Sequence, residues 1–223
     1  MILLIDADSL VYSCSYSVES EAEAMYKFDK HINFIVDDIS DHYQVDKIKV
    51  YHGSRNNFRT KINDTYKANR KGKEKPAFYT ELSNYVQEGY DAISAIGEEV
   101  DDVVARDWRY HKNKGDDPCI VSIDKDYLQL PALIYNYSEN RRGFTEPTEE
   151  EARHNFWVQM ITGDAADNVN YLKGKGIKYA QKHLEGCLSD FQYIRRVYTL
   201  FVEKYAEDAR KCFTECYTLL KIG

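Results

Sequence analysis

The sequence is poor in the features that mark secreted or membrane proteins. Its 223 residues contain only five cysteines (Cys14, Cys119, Cys187, Cys212 and Cys216), an odd number with no CxxC pair. That pattern argues against a secreted disulfide framework and for a reducing cytosol. No apolar run approaches the roughly 20 residues of a membrane-spanning helix, and Met1 leads straight into ILLI with no basic segment before it. A soluble, cytoplasmic protein is expected. With four prolines and eleven glycines the chain also has no proline- or glycine-rich linker, internal repeat or low-complexity tract. The length suits one sizeable domain with a small helical part appended.

Positive charge is scarce overall, the net charge being −7, which taken alone argues against a polyanionic partner. Its distribution argues otherwise. Between Arg59 and Lys75 (RTKINDTYKANRKGKEK) seven basic residues face two acids, a local +5 that leaves −12 on the rest of the chain. A basic strip with an aromatic in it suits a nucleic acid, and equally reads as a solvated loop.

MILLID reads as a short buried strand ending in Asp6, and residues from about Glu19 to His42 carry helical periodicity (Ala24, Phe28, His31, Ile32, Ile35, Ile39). DKIKVYH reads as a second strand. After the basic strip, Pro76 suits the first turn of a helix to about Glu88, followed by a weak strand at Ala92 to Ala95 and a helix from Glu99 to Lys112. PCIVSID and ALIYNY are further strands. TEEEARHNFWVQMITG is an amphipathic helix opened by Thr148, and everything beyond about Gly163 reads as helical. Strands alternating with helices predict an α/β fold with a mainly parallel central sheet.

In such sheets ligands bind beyond the carboxyl ends of the strands, and acids fall there. Asp6 ends the first strand, Asp124 and Asp126 follow VSI, Glu99, Asp101 and Asp102 open a helix, and Asp164 and Asp167 stand three apart in GDAADN. Each alone also reads as a helix cap or a first-turn acid. Together they read as eight carboxylates facing one crevice. Unit charges 4 Å apart repel by about 4 kcal/mol at an effective dielectric of 20, so such a cluster calls for hard divalent cations, Mg²⁺ or Mn²⁺. Histidine and cysteine do not recur in these motifs, which disfavours zinc.

The ordered set LIDADSL, YKANR, GEEVDD, SIDKDYLQL and GDAADN followed by KGKGIKYA resembles the 5′-nuclease superfamily, the flap endonucleases and 5′→3′ exonucleases, especially the short bacteriophage type, over residues 2 to about 185. The resemblance implies a PIN-like nuclease core at 1–162, with a short basic arch or loop at about 59–98, and a helical region at 163–223 carrying a helix-hairpin-helix DNA-binding element. It implies two or more Mg²⁺ ions held by Asp6, Glu99, Asp101, Asp102, Asp124, Asp126, Asp164 and Asp167, and a monovalent cation such as K⁺ at the hairpin. Asp6, Lys67, Arg70, Asp124 and Asp126 take catalytic roles in this reading. Arg59, Tyr66, Lys67, Arg70, Lys173, Gly174, Lys175, Gly176 and Lys178 face DNA, with Tyr66 stacking on a terminal base.

The implied activity is hydrolysis near 5′ ends of nicked, flapped or 5′-ended duplex DNA, or of RNA primers on DNA, by a monomer working beside replication proteins in a phage or bacterial cytoplasm. A PIN-type ribonuclease acting on single-stranded RNA and a non-catalytic structure-specific DNA-binding protein are the alternatives. The chain departs from the pattern at YHGSRNNF, where many relatives have an acid after the second strand and this chain offers only His52 or Ser54. Tyr171 stands where many relatives have the first glycine of the hairpin turn.

Overall fold

A computed structural model describes residues 1–70 and 72–223; Lys71, one of the basic strip, lies outside the described residues. The core is a six-stranded sheet in the order β3-β2-β1-β4-β5-β6. Its strands are β1 (Ile2–Asp6), β2 (Lys47–Arg55), β3 (Ile93–Ile96), β4 (Pro118–Val121), β5 (Leu133–Asn136) and β6 (Gly143–Thr145). All neighbouring pairs are parallel except β5 with β6. The chain builds outward from β1 to β3, returns to lay β4 against the other side of β1, and so makes its topological switch between β1 and β4. That is where an open parallel sheet places its binding crevice.

The central strands are apolar runs because both faces are covered. Leu3 and Ile5 face α1 (Asp8–Cys14), α2 (Glu21–Ser40) and α4 (Tyr79–Gly89), while Leu4 faces α5 (Val100–Asn113) with Val104 and Trp108. The helical periodicity in residues 19–42 is realised with Ala24, Phe28, Ile32, Ile35 and Ile39 buried, whereas His31 of the same periodic set lies exposed. Ser20 caps that helix, accepting from the Glu23 N–H.

A third core, rich in aromatics, gathers α6 (Glu149–Thr162), α7 (Ile177–Leu184), α8 (Asp190–Tyr205) and α9 (Ala209–Leu220). Thr148 opens α6 through a reciprocal capping box with Glu151. The amphipathic reading of α6 needs correction, because Phe156, Trp157, Gln159, Met160 and Ile161 bury it on more than one side. Since α6 shares this core with α8 and α9, the boundary placed at residue 162 runs through common packing. The segment 163–176 is not helical either. Asp164 and Val169 pair as a two-residue antiparallel bridge, and Gly163, at φ +72°, has no room for a side chain because a Cβ would collide with the Val169 carbonyl.

Arg59 is the clearest correction to the basic strip. It sits in α3 (Arg59–Ile62), 1% exposed, and its guanidinium makes a two-pronged ion pair with Asp102. It also donates to the carbonyls of Leu219 (3.1 Å) and Lys221 (2.6 Å), tying the end of α9 to the start of α5. Asp102 in turn accepts from the N–H groups of Glu99 and Gly223. Burial alone would raise the Asp102 carboxyl, but the Arg59 hydrogen bonds and charge hold it below its ordinary value. Both residues are thereby removed from the roles expected of them, Arg59 from DNA and Asp102 from a metal. Arg59→Ala would leave a buried carboxylate without its counter-charge. It is expected to destabilise the protein by about 3–5 kcal/mol in urea unfolding, against less than about 0.5 kcal/mol for the exposed Lys73→Ala.

Candidate active site

The acids converge from four segments at the carboxyl edge of the sheet. Asp6, at the end of β1, is 8% exposed and accepts from the Tyr127 hydroxyl (3.0 Å) and the Asp8 N–H (3.2 Å). Burial, and then the charges of Asp8 and Asp124, push its carboxyl up to about 7. Asp124 follows β4, caps the short helical turn Lys125–Gln129 and accepts from the Asp126 N–H. Asp126 is likewise pushed to about 7, by burial and by Asp124 and Asp164. Gln159 of α6 spans two of the acids, its amide donating to Asp126 (2.8 Å) and Asp164 (3.3 Å).

The second half of the cluster opens α5. Glu99 caps the helix in a capping box with Asp102, and Asp101 beside it is raised well above the ordinary range by burial and by Glu99 and Asp102. Tyr66 joins this half to Asp167, donating to Glu99 (2.6 Å) and lying 2.8 Å from the Asp167 carboxylate. At 3% exposure it is a buried strut between carboxylates, so the expected stacking on a base does not fit its position.

YKANR and GDAADN, nearly a hundred residues apart, dock directly onto each other. The Lys67 N–H donates to the Asp167 carbonyl (2.9 Å), Asn69 reaches the Ala165 and Ala166 carbonyls, and Asn168 returns to the Thr65 carbonyl (2.9 Å). Lys67 takes a left-handed backbone, φ +54°, to make this turn. Its ammonium pairs with Glu99 and lies 3.6 Å from Asp167, where Arg70 also binds at 2.8 Å. Opposite them Lys125 pairs with Asp164 (2.7 Å), which holds that carboxyl low against the effect of burial.

As the side chains stand, no three histidine, cysteine or carboxylate groups among the described residues close on a point that could hold a metal. The reason is visible in the contacts, since Lys67 and Lys125 stand between carboxylates that would otherwise repel. The donor set is all oxygen and suits a hard divalent cation: Asp6, Asp124, Asp126 and Asp164 on one side, Glu99, Asp101 and Asp167 on the other. Burial first, and neighbouring carboxylates after it, raise the Asp6, Asp101 and Asp126 carboxyls.

Three residues escaped the sequence reading. Asp8 is a further acid at the crevice, fixed by the Gly53 N–H (2.8 Å) and His52 Nδ1 (2.8 Å); its only sequence signal was the two-residue spacing from Asp6. His52 is fully buried beneath it and no substitute ligand. Lys125 and Gln159 carried no signal that separates them from any surface lysine or helical glutamine.

The profile of the 5′-3′ exonuclease N-terminal resolvase-like domain matches residues 1–157. The chain belongs to this family. It is 25% identical over 217 residues to a 5′-3′ exonuclease of Buchnera aphidicola subsp. Schizaphis graminum, covering 88% of this chain and 72% of that one. It is 31% identical over 116 residues to DNA polymerase I of Deinococcus radiodurans, covering 49% of this chain and only 12% of that much longer protein. The fold is that of a bacteriophage T5 flap endonuclease solved with DNA and metal ions (TM-score 0.66, 12% identity, 99% of both chains). The catalytic core of Rad2 in complex with DNA substrate also superimposes, with a TM-score of 0.53 at 13% identity, over 100% of this chain and 74% of that one. This places the chain in the 5′-nuclease superfamily that its motifs resemble.

The pushed-up acids give a sign for pH dependence. A carboxyl at 3.8 in the unfolded chain and about 7 when folded makes its full contribution to stability below about pH 4, and loses it as pH rises through 7. Asp126→Asn cannot ionise, so in metal-free buffer it should leave the melting temperature nearly unchanged near pH 4 and raise it at pH 8, by roughly 2–4 °C per kcal/mol recovered. An unchanged or lowered melting temperature at pH 8 would contradict this account of the cluster.

Proposed function

We propose that the protein is a Mg²⁺- or Mn²⁺-dependent 5′ nuclease that hydrolyses phosphodiesters near the 5′ ends of nicked or flapped DNA, and of RNA primers paired to DNA. The observation that carries this reading is the docking of YKANR on GDAADN, which puts Lys67 and Arg70 at the rim of an all-oxygen acid crevice. Seven acids would hold the ions: Asp6, Asp124, Asp126 and Asp164 on one side, Glu99, Asp101 and Asp167 on the other. Bound there, such ions supply the Lewis acidity that activates water and stabilises the departing 3′ oxygen of an in-line displacement.

The chain's own groups do the rest. Lys67 and Arg70, now paired with Glu99 and Asp167, are the cations within reach of a phosphate entering the crevice, and Arg offers it a fork of donors. Tyr66 and Gln159 keep carboxylates of different segments in register. Outside the crevice the turn from Lys173 to Gly176 supports duplex binding. Gly174 takes φ +88°, both Gly174 and Gly176 face open space, and Gly176 begins α7 with no side chain capping its N–H groups. Lys173 and Lys178 are exposed beside it, whereas Lys175 lies over the Tyr179 ring. The T5 structure holds DNA and metal ions, which supports both ligands for this chain. No helix among the described residues is long and apolar enough to cross a membrane, and we assign the work to the cytoplasm, by a monomer beside replication proteins.

Asp124→Asn and Asp164→Asn are expected to abolish Mg²⁺-dependent cleavage of a flapped duplex while leaving DNA binding intact or tighter, because each removes a ligand and also a charge that repels phosphate. Turnover at the wild-type rate by either variant would sink the assignment. Lys67→Ala and Arg70→Ala should lower kcat more than they raise KM, as expected of contacts that strengthen in the transition state. A loss wholly restored by excess substrate would make them simple DNA attractants.

Gly174→Pro, which fixes φ near −65° and removes an N–H, should weaken binding to nicked duplex yet spare cleavage of a short single-stranded 5′ oligonucleotide. Equal losses on both substrates would leave the turn only a structural part.

A further inference from the structure

One buried hydroxyl at the edge of the sheet has no partner. Tyr137 follows the end of β5, where Asn136 Oδ1 accepts from the Ser138 N–H (2.9 Å) and hydroxyl (2.6 Å) and so fixes the turn that carries it. Ile5, Val121 and Tyr135 lie side by side in β1, β4 and β5, and Asp6, Asp124 and Tyr137 follow them at the same carboxyl edge. The Tyr137 ring packs against the core under α1 and α2, and its hydroxyl is buried without a hydrogen bond. Only one other side-chain atom among the described residues is in that state, Gln129 Oε1, and Gln129 still uses its amide nitrogen on Gln159 and Leu220. The carboxylates at this edge are engaged elsewhere: Asp6 by Tyr127 and the Asp8 N–H, Asp8 by His52 and the Gly53 N–H, Asp124 by the Asp126 N–H. Burial first, and then acidic groups that include Asp6, Asp124 and Asp8, raise the Tyr137 hydroxyl well above its ordinary value. It therefore keeps its proton and can both donate and accept.

We propose that the Tyr137 hydroxyl is kept for the hydration shell of a divalent cation in the acid crevice, as a positioning residue that pairs with an ion-held water and is not itself a ligand. A buried hydroxyl without a partner destabilises the protein, and phenylalanine would fill the same space without that penalty. The hydroxyl therefore has its use in a state of the crevice other than the cation-free one. Mg²⁺ keeps several waters when carboxylates hold it, and each such water, polarised by the ion, is a strong donor to an unpartnered oxygen. Asp6 and Asp124 would bring the ion to the edge where Tyr137 stands. The proposal rests on the nuclease reading above and adds to it a residue, outside the seven acids, that governs how tightly the ion is held.

The test is Tyr137→Phe, which removes the hydroxyl and keeps the ring. Melting is followed in EDTA, and Mn²⁺ binding by electron paramagnetic resonance titration without DNA, so that neither readout depends on cleavage. In EDTA the variant should melt about 2–4 °C above wild type, because an unsatisfied group is gone. Its Kd for Mn²⁺ should rise about tenfold, because the ion has lost a support for its waters. A side chain of merely structural importance would not move stability up and ion affinity down together. Tyr16→Phe, on an exposed ring, should change neither. A melting temperature in EDTA at or below that of wild type, or Mn²⁺ affinity within about twofold of it, would overturn the proposal. If wild-type protein binds Mn²⁺ and cleaves flapped DNA while the variant binds the ion as tightly, the role of Tyr137 alone falls. If wild-type protein binds no Mn²⁺, the nuclease reading falls with it.

Discussion

Everything at the carboxyl edge of this sheet is arranged around the repulsion between carboxylates. Two like charges 4 Å apart cost about 4 kcal/mol at an effective dielectric of 20, and here acids from four segments share a partly buried crevice. The protein answers with three devices. Arg59 neutralises Asp102 outright and turns an acid of the cluster into an anchor for the end of α9. Lys67 and Lys125 insert between carboxylates on opposite sides. Tyr66, Tyr127 and Gln159 add hydrogen bonds to the carboxylates. Neighbouring carboxylates still add to burial in raising the Asp6, Asp101 and Asp126 carboxyls, and an all-oxygen crevice of this kind suits a hard divalent cation.

The same economy explains why the basic strip folds as it does. A run of cations written in one stretch is divided among three tasks. Its first member is buried as an anchor, its middle members Lys67 and Arg70 join the acid cluster, and its last, Lys75, reaches out over Tyr79 toward solvent. The left-handed backbone at Lys67 is the local strain that this division requires. It is held by Asp167 and Asn69 contacts across to GDAADN, so the loop that presents the cations and the loop that presents the acids form one rigid unit.

Sequence reasoning recovered what periodicity and capping encode. β1 and β4 are continuous apolar runs because both faces are covered, α2 announces itself by its apolar periodicity, and α6 by Thr148. β6 was missed because GFT is three residues long and shows no alternation, and its antiparallel pairing with β5 exists only through tertiary contact. α1 was missed because it starts at Asp8, immediately after β1, with no capping side chain. Arg59 and Tyr66 were misplaced for one reason: residue type alone sends a charge or a tyrosine hydroxyl outward, and only the fold shows a partner waiting inside. The acid positions were legible because strand ends mark a crevice, whereas Gln159 and Lys125, which set those acids in place, have no local signature.

The missing acid after β2 is where sequence and structure together say more than either. β2 breaks register against β3 between Tyr51 and Ser54, and Gly53 takes φ +79° there. The break turns the Gly53 N–H and His52 Nδ1 toward the same oxygen of Asp8, each at 2.8 Å. These contacts outweigh burial and hold the Asp8 carboxyl below its ordinary value, so it stays ionised. His52 Nδ1 faces Asp8, and its Nε2 lies 2.8 Å from the Ser83 hydroxyl, so the ring is held between the two. Asp8, His52 and Ser83 form one hydrogen-bonded set beside the crevice. The negative charge beside β2 is thus supplied from the start of α1, with His52 of β2 as its support.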